Sequence, residues 1–408
     1  MPTTQRTRSA RALANDDAIR KAAIESILQN GVDRLSLRDI GHQAGLTHGA
    51  TYARYEDVDE LLVDLWNSTL AQRSLAMFEL SHAAARTPNA ETVGAMFAVL
   101  RDATAADVAA VHVLLVSRRF PILHEEVEPF FHQCLECGEP DPDGTYARAQ
   151  ILFAMLIVRV IGGRQFDWSN DDVKLEQLIL STLEMKPTVT ARIEPRGLDD
   201  RIIPEPNESL KSQLAYATFG VVGKSGYIRA TITRIARRAA CSPGAIYKLY
   251  PSKEDLVIAS FRDIMRARWL RATNFVDILE EGSIAQLLYA SASVQNEVRQ
   301  NFTMETILAS THSDKIRLAV GGQLRELEDA VRTLEELGDD EIESLRFMIR
   351  SVTNLAIGVS WMTTIAPRSR DIDFNQFAEP FRLAILRDVL PNWIHISEQI
   401  RAAVKSAT

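Results

Sequence analysis

Few residues in this chain have the types and spacing that chemistry requires, and they are unevenly placed. His124, His132, Cys134 and Cys137 gather in one short stretch. A single Cys-x-x-Cys with no second pair is a weak signal for zinc or redox sensing, and the plainer reading is two small residues ahead of the loop GEPDPDG. No phosphate loop, G-x-S-x-G elbow or H-E-x-x-H motif occurs, so neither enzymatic activity nor a cofactor is expected. What remains is charge. Residues 209–261 hold eight basic side chains (Lys211, Lys224, Arg229, Arg234, Arg237, Arg238, Lys248 and Lys253) against two acidic ones, Glu254 and Asp255. Phosphate binding needs such a local excess, even in a chain of net charge -8. Arg6, Arg8 and Arg11 form a second basic group, an arm of the kind that reaches a minor groove.

The elements that must position these charges are helices. In the stretch 14–66, Ile19, Ala22, Ala23, Ile27 and Leu28 recur at helical spacing, and Gly31 ends the helix. Ser36 caps a second helix, with Asp39 three residues on. Gly45-Leu46 makes a tight turn, Thr47 caps a short third helix, and Asp57 caps a fourth. Two short helices joined by a glycine-containing turn form a helix-turn-helix, whose second helix enters the major groove N-terminus first. The small or polar His48, Gly49 and Ala50 let its backbone approach bases, and its N-terminal amides suit phosphate. The plan recurs at an offset of 195: residues 22–61 align without gaps on 217–256, with ten identical pairs, among them Gly31/Gly226, Tyr52/Tyr247 and Tyr55/Tyr250. In the second copy Thr231, Ser242 and Ser252 are the caps, and Pro243 takes the first helical position.

Both copies resemble the DNA-binding domain of the TetR family of regulators. TITRIARRAACSPGAIYKLYPSKEDL matches the family motif nearly throughout. SLRDIGHQAGLTHGATYARYEDVDEL departs at Val58, where the family usually has lysine. The resemblance implies that Tyr52 and Tyr247 touch phosphates, and that His48, Gly49 and Ala50, like Pro243, Gly244 and Ala245, face base edges. It places Arg38 and Thr233 near a base or phosphate and Lys253 on a phosphate at the head of the fourth helix. Thr47, Thr231, Ser242, Lys248 and Arg54 complete the expected DNA face, while Tyr55 and Tyr250 belong to the core. The copies differ in charge: residues 14–66 hold five basic and ten acidic side chains, so the second copy is the better DNA grip.

The expected architecture is all-α. An arm (1–13), a first helix-turn-helix domain (14–66), a first helical ligand-binding and dimerisation domain (67–186), a linker (187–207), a second helix-turn-helix domain (208–262) and a second helical domain (263–408) follow in order. Pro187, Pro195, Pro204 and Pro206 mark the linker. Tyr146–Gly163 with Asp172–Glu184, and Glu341–Thr364 with Phe374–Leu390, read as two bundle pairs. The two TetR-like halves are expected to pack as an intramolecular pseudo-dimer, and whole chains can pair further as a homodimer. Met96, Phe97, Phe120, Phe153 and Trp168 in one half, and Phe302, Met304, Trp361 and Met362 in the other, are candidates for an effector pocket or plain core. Arg159 and Arg350 interrupt apolar helices and read as bundle-edge salt bridges or anion ligands. Three cysteines, no apolar N-terminal core and a longest apolar run of Ile151–Gly163 that is too short for a bilayer point to a soluble cytoplasmic protein. The expected function is a sequence-specific transcriptional regulator, a repressor of a double-stranded DNA operator released by a small-molecule effector. The alternative is a regulator in which only the second helix-turn-helix binds DNA and the first is a protein-interaction or sensor module.

Overall fold

The computed structural model describes residues 10–135, 141, 143–166, 171–186, 209–271, 277–329, 331 and 337–407, and all regular structure among them is helical. The linker 187–207 lies outside the described residues. The first half runs α1 (Ala10–Asn30), α2 (Leu37–Gln43), α3 (His48–Tyr52), α4 (Val58–Leu65), α5 (Ala71–Arg86), α6 (Ala90–Arg101), α7 (Ala105–Val116), α8 (Pro121–Cys134), α9 (Thr145–Phe166) and α10 (Asp172–Glu184). The second runs α11 (Leu210–Arg229), α12 (Ile232–Arg238), α13 (Pro243–Tyr247), α14 (Lys253–Arg271), α15 (Ser283–Ala292), α16 (Glu297–Ser310), α17 (Asp314–Asp329), α18 (Asp339–Ile365), α19 (Asn375–Ala384) and α20 (Trp393–Ala407). The first residues of α2, α3 and α4 precede those of α12, α13 and α14 by the same 195 positions that relate the sequences.

The chain divides into two compact units. The first joins residues 1–74 to residues 104–129, so it extends past the sequence-expected boundary at residue 66 and takes in α7. Within it α1 packs on α2 and on α7, burying Ile19, Ala23 and Ile27 of α1 and the whole apolar run of α7 from Val108 to Val116. Arg119 and Asp33 form a buried pair in which one guanidinium nitrogen donates to both carboxylate oxygens, at 2.9 and 2.8 Å. The indole N–H of Trp66 donates to the Glu126 carbonyl at 3.1 Å.

The second unit holds residues 75–103 and 130–408. At its centre α9 packs along α18, and α10 packs along α19. Residues 145–163 of α9 are long and apolar enough to cross a bilayer by composition, and 89% of that stretch is buried inside the protein. Each such fully buried Leu, Ile or Phe contributes roughly 1.5–3 kcal/mol. The two helices pack tightly at Gly358, where a Cβ would stand 2.4 Å from the carbonyl oxygen of Ala154. The bundle also holds buried and half-buried ion pairs. Arg350 reaches Asp171 through two hydrogen bonds, 2.5 and 3.0 Å, and Glu343 at 2.8 Å. Arg159 pairs with Asp172, and Arg148 donates to the Gln376 carbonyl at 3.1 Å. Both interrupting arginines are therefore engaged by carboxylates, as the salt-bridge alternative expects.

Candidate nucleic-acid interface

The sequence builds the same local frame twice. Ser36, Thr47 and Asp57 accept from the backbone N–H of Asp39, Ala50 and Glu60 at 3.4, 3.3 and 2.9 Å. Thr231, Ser242 and Ser252 accept from Arg234, Ala245 and Asp255 at 3.3, 3.2 and 3.2 Å. Each cap satisfies an N–H that a helix start leaves without an intrahelical partner. A glycine of positive φ closes the first long helix of the first copy, Gly31 at 79°, and kinks that of the second near its end, Gly226 at 77°. The turn between the two short helices uses the left-handed region, with Gly45 at φ 71° and Ala240 at φ 50°. It is closed by Leu46 N–H to Gly41 at 2.9 Å and by Cys241 N–H to Ala236 at 3.0 Å.

The two short helices then pack on each other. In the first copy Gly41 meets the fully buried Thr51: a Cβ at Gly41 would lie 2.2 Å from its hydroxyl. In the second copy Ala236 and Ile246 occupy these positions, both buried. This packing leaves one face outward. His48 and Gly49 are exposed, Ala50 is half-buried, and Tyr52 is 44% exposed with its ring stacked on His48 at 4.3 Å. On α13, Pro243 and Gly244 are exposed, Ala245 is half-buried and Tyr247 is 56% exposed, and Lys248 just after it is exposed. Arg38, Thr47, Thr231, Thr233 and Ser242 are exposed as well. Sequence reasoning counted Arg234, Arg237 and Arg238 as charge without assigning them to the face; all three are exposed on α12.

Two basic residues that the resemblance places on DNA also have partners within the fold. Arg54 pairs with Asp16 and donates to the Ala12 carbonyl at 2.9 Å. Lys253 donates to the Tyr227 carbonyl at 2.9 Å and sits 4.0 Å from the Tyr227 ring centroid, a cation–π contact. Neither pairing has a local sequence signal, because each partner is decades of residues away. Tyr55 is buried and donates to Asp64 at 2.8 Å, and Arg20 reaches the same carboxylate at 2.9 Å. Burial, then the bond to Asp64, pushes the Tyr55 hydroxyl pKa up. Tyr250 is half-buried.

The copies differ in where their acids go. In the first, Arg20 pairs with Asp17 and Asp64, and Gln43 donates to Glu25 at 2.7 Å. In the second, both acids turn to the start of α17: Lys315 reaches Asp255 at 2.7 Å and Ser313 donates to Glu254 at 3.3 Å. The bond from Lys315, then that from Ser252, holds the Asp255 carboxyl below its ordinary range. The outward face of α12 and α13 is thus left to arginines, a lysine, hydroxyls and a tyrosine.

The effector-pocket candidates lie in the core. Met96, Phe97, Phe153, Phe302, Met304, Trp361, Met362 and, in the first unit, Phe120 are all buried. Phe153 contacts Phe78 and Phe130, and Phe302 contacts Phe219 at 5.0 Å between ring centroids. Trp168, Cys137 and the arm residues Arg6 and Arg8 lie outside the described residues. Burial pushes the Cys134 thiol up to about 12, with Glu79 adding to it, which disfavours the thiolate a metal would need.

Residues 217–260 match the family model described as bacterial regulatory proteins, tetR family. The match covers the end of α11, both short helices and the start of α14, the second of the two copies. No curated protein matches the chain. The match supports a DNA-binding transcriptional regulator with a helix-turn-helix fold in this segment.

Proposed function

We propose that the chain is a sequence-specific regulator of transcription, built from two TetR-like halves in tandem, whose grip on double-stranded DNA is led by α12 and α13. The observation that carries this is the exposed set Thr231, Thr233, Pro243, Gly244, Tyr247 and Lys248 beside Arg234, Arg237 and Arg238. Backbone free of bulky side chains at the start of α13 suits base edges, and the surrounding donors suit phosphates. The packing of α9 on α18 and of α10 on α19 supports an intramolecular pseudo-dimer in place of two identical subunits. In this reading the protein is cytoplasmic, has no enzymatic role, and represses until a small-molecule effector shifts it to a state that binds DNA less well.

One test is selection of bound sequences from random DNA by the full chain, followed by affinity measurements on the recovered operator. Tyr247→Phe with Lys248→Ala abolishes specific binding under this reading; unchanged affinity refutes it. A second reading, in which the first copy does not hold DNA, is favoured by the Arg54–Asp16 pair and by the ten acids in residues 14–66. Tyr52→Phe separates the two. A recovered operator with two unlike half-sites and a loss on Tyr52→Phe supports two readers; a single half-site insensitive to Tyr52 supports one.

A further inference from the structure

A crevice of about 480 Å3 opens in the second unit between α10, the first turns of α18 and the turn after α19. Its size falls in the range of small-molecule sites, roughly 300–1,000 Å3. The buried Leu178 and Phe347 give it an apolar lining, and the half-buried hydroxyls of Ser181 and Ser344 and the exposed Lys174 and Asp388 complete it. A charge reversal at two matched helix starts accounts for the opening. Arg148, in the first turn of α9, donates to the Gln376 carbonyl at 3.1 Å and to the Met185 carbonyl at 3.5 Å. Its guanidinium thus bridges the start of α19 and the residue after α10. Glu343, near the start of α18, stands 195 positions later, the offset that relates the two DNA-binding copies. A carboxylate cannot donate such bonds. Glu343 instead accepts from Arg346 and Arg350 of its own helix, at 3.1 and 2.8 Å, and the crevice opens beside it.

The crevice has two unlike ends. Lys174 and Ser181 are seven residues apart on α10, which is two turns, about 10.5 Å along the axis. At the first end Lys174 is exposed, and Glu343, the carboxylate whose field reaches it, is committed to two arginines. Lys174 therefore offers its ammonium to an anion. At the second end, beside Ser181, Asp388 is compensated by Arg387, which donates to its two oxygens at 2.6 and 2.8 Å. The bonds from Arg387 and then Ser181 hold the Asp388 carboxyl below its ordinary range. A carboxylate oxygen accepts more than one bond, so this end still takes a neutral donor, whereas a further cation would meet Arg387.

We propose that this crevice is the effector site and that it takes a small monocarboxylate with an aromatic body and a hydroxyl at its far end. The carboxylate pairs with Lys174, the ring lies against Phe347 and Leu178, and the hydroxyl donates to Asp388. An aromatic body suits the place because Phe347 offers a ring to pack on. The crevice borders α10 of the first half and α18 of the second, so its occupant bears on how these two helices pack. That the occupant regulates DNA binding rests on the regulator reading above; that it binds does not.

The experiment is a thermal-shift titration of the full chain with millimolar 4-hydroxyphenylacetate, phenylacetate, 4-hydroxyphenylacetamide and tyramine, in which the hydroxyl and the charge of the head are varied separately. The dependence of Tm on concentration gives each affinity. 4-Hydroxyphenylacetate should raise Tm. Phenylacetate should bind about tenfold more weakly, for want of a bond to a charged acceptor. The amide should bind about fivefold more weakly, the worth of an exposed ion pair, and tyramine should leave Tm in place. Lys174→Gln should bring the acid down to the affinity of the amide and leave the amide unchanged. Ser344→Trp, which fills the crevice, should abolish every response; should it fail to fold, Lys174→Gln, a change at an exposed side chain, decides alone. No rise with 4-hydroxyphenylacetate, equal rises with all four compounds, or an acid response untouched by Lys174→Gln would each overturn the proposal. Affinity for the selected operator is read in parallel: 4-hydroxyphenylacetate binding without DNA binding removes the regulator reading and keeps the site, and the reverse outcome keeps the regulator and removes the site.

Discussion

Lys253 and Lys248 are five residues apart, and the structure gives them different work. Lys253 docks on Tyr227 through a carbonyl bond and a ring contact, so Lys253→Ala should lower stability by about 0.5–1 kcal/mol and show first as a lower Tm. Lys248 is exposed beside Tyr247. Lys248→Ala should leave Tm unchanged, weaken DNA binding and reduce the slope of log affinity against log salt by about 1; anisotropy titrations at several salt concentrations separate the two. Ala240 holds φ 50° at a position where the first copy has Gly45. An alanine in the left-handed region costs roughly 1–2 kcal/mol, part of which glycine returns as unfolded-chain entropy. Ala240→Gly should therefore raise stability by about 0.5–1 kcal/mol, and a lower Tm would show that the strain is not there. Matched positions in the two copies also exchange partners together. Glu25 and Gln43 are joined by a hydrogen bond, whereas Gly220 leaves room for the Arg238 guanidinium, which a Cβ there would meet at 2.6 Å. Arg54 pairs with Asp16 in the first copy; Leu249 and Lys211 stand at those positions in the second.

At the level of elements, α9 lies tightly against α18 at Gly358. Helix propensity alone favours alanine there by about 1 kcal/mol. The Ala154 carbonyl, 2.4 Å from the added Cβ, overrides it. Gly358→Ala should thus destabilise by about 1–3 kcal/mol, and a rise in Tm would mean the helices slide apart freely. A smaller version of this conflict lies between α2 and α3: Gly41→Ala should destabilise the first unit, and Thr51→Ala in the same chain should recover part of the loss, a coupling that a double-mutant cycle on Tm detects. Helix starts were readable in the sequence because capping is local. Ser36, Thr47, Asp57, Thr231, Ser242 and Ser252 each act within three residues of themselves, and all six accept the bonds their positions suggest. The destinations of Arg54 and Lys253 were not readable, since packing chose partners far along the chain. Nor could aromatic content separate a pocket from a core: Phe97, Phe153, Phe302 and Trp361 are buried alike.

For the whole molecule, stability at low pH is held by carboxylates whose pKa the fold depresses. Lys315 and Ser252 hold Asp255 down, and Arg387 holds Asp388 down against its partial burial. A depressed folded pKa contributes stability that is complete above the unfolded value, about 3.9, and is lost as pH falls through the folded one. Tm should be level from neutrality to about pH 5 and fall below pH 4, with added salt reducing the fall because both carboxylates lie near solvent. A Tm that climbs on acidification would contradict these assignments. The first compact unit carries a different consequence. Its residues 1–74 are completed by residues 104–129, and α1 packs directly on α7. A fragment cut after the first helix-turn-helix therefore lacks one wall of its own core, and an excised version needs both stretches. On the ribosome, where the chain emerges from its N-terminus, the first compact unit must wait unfinished while the intervening stretch is synthesised, and it closes only after residue 129 has left the exit tunnel.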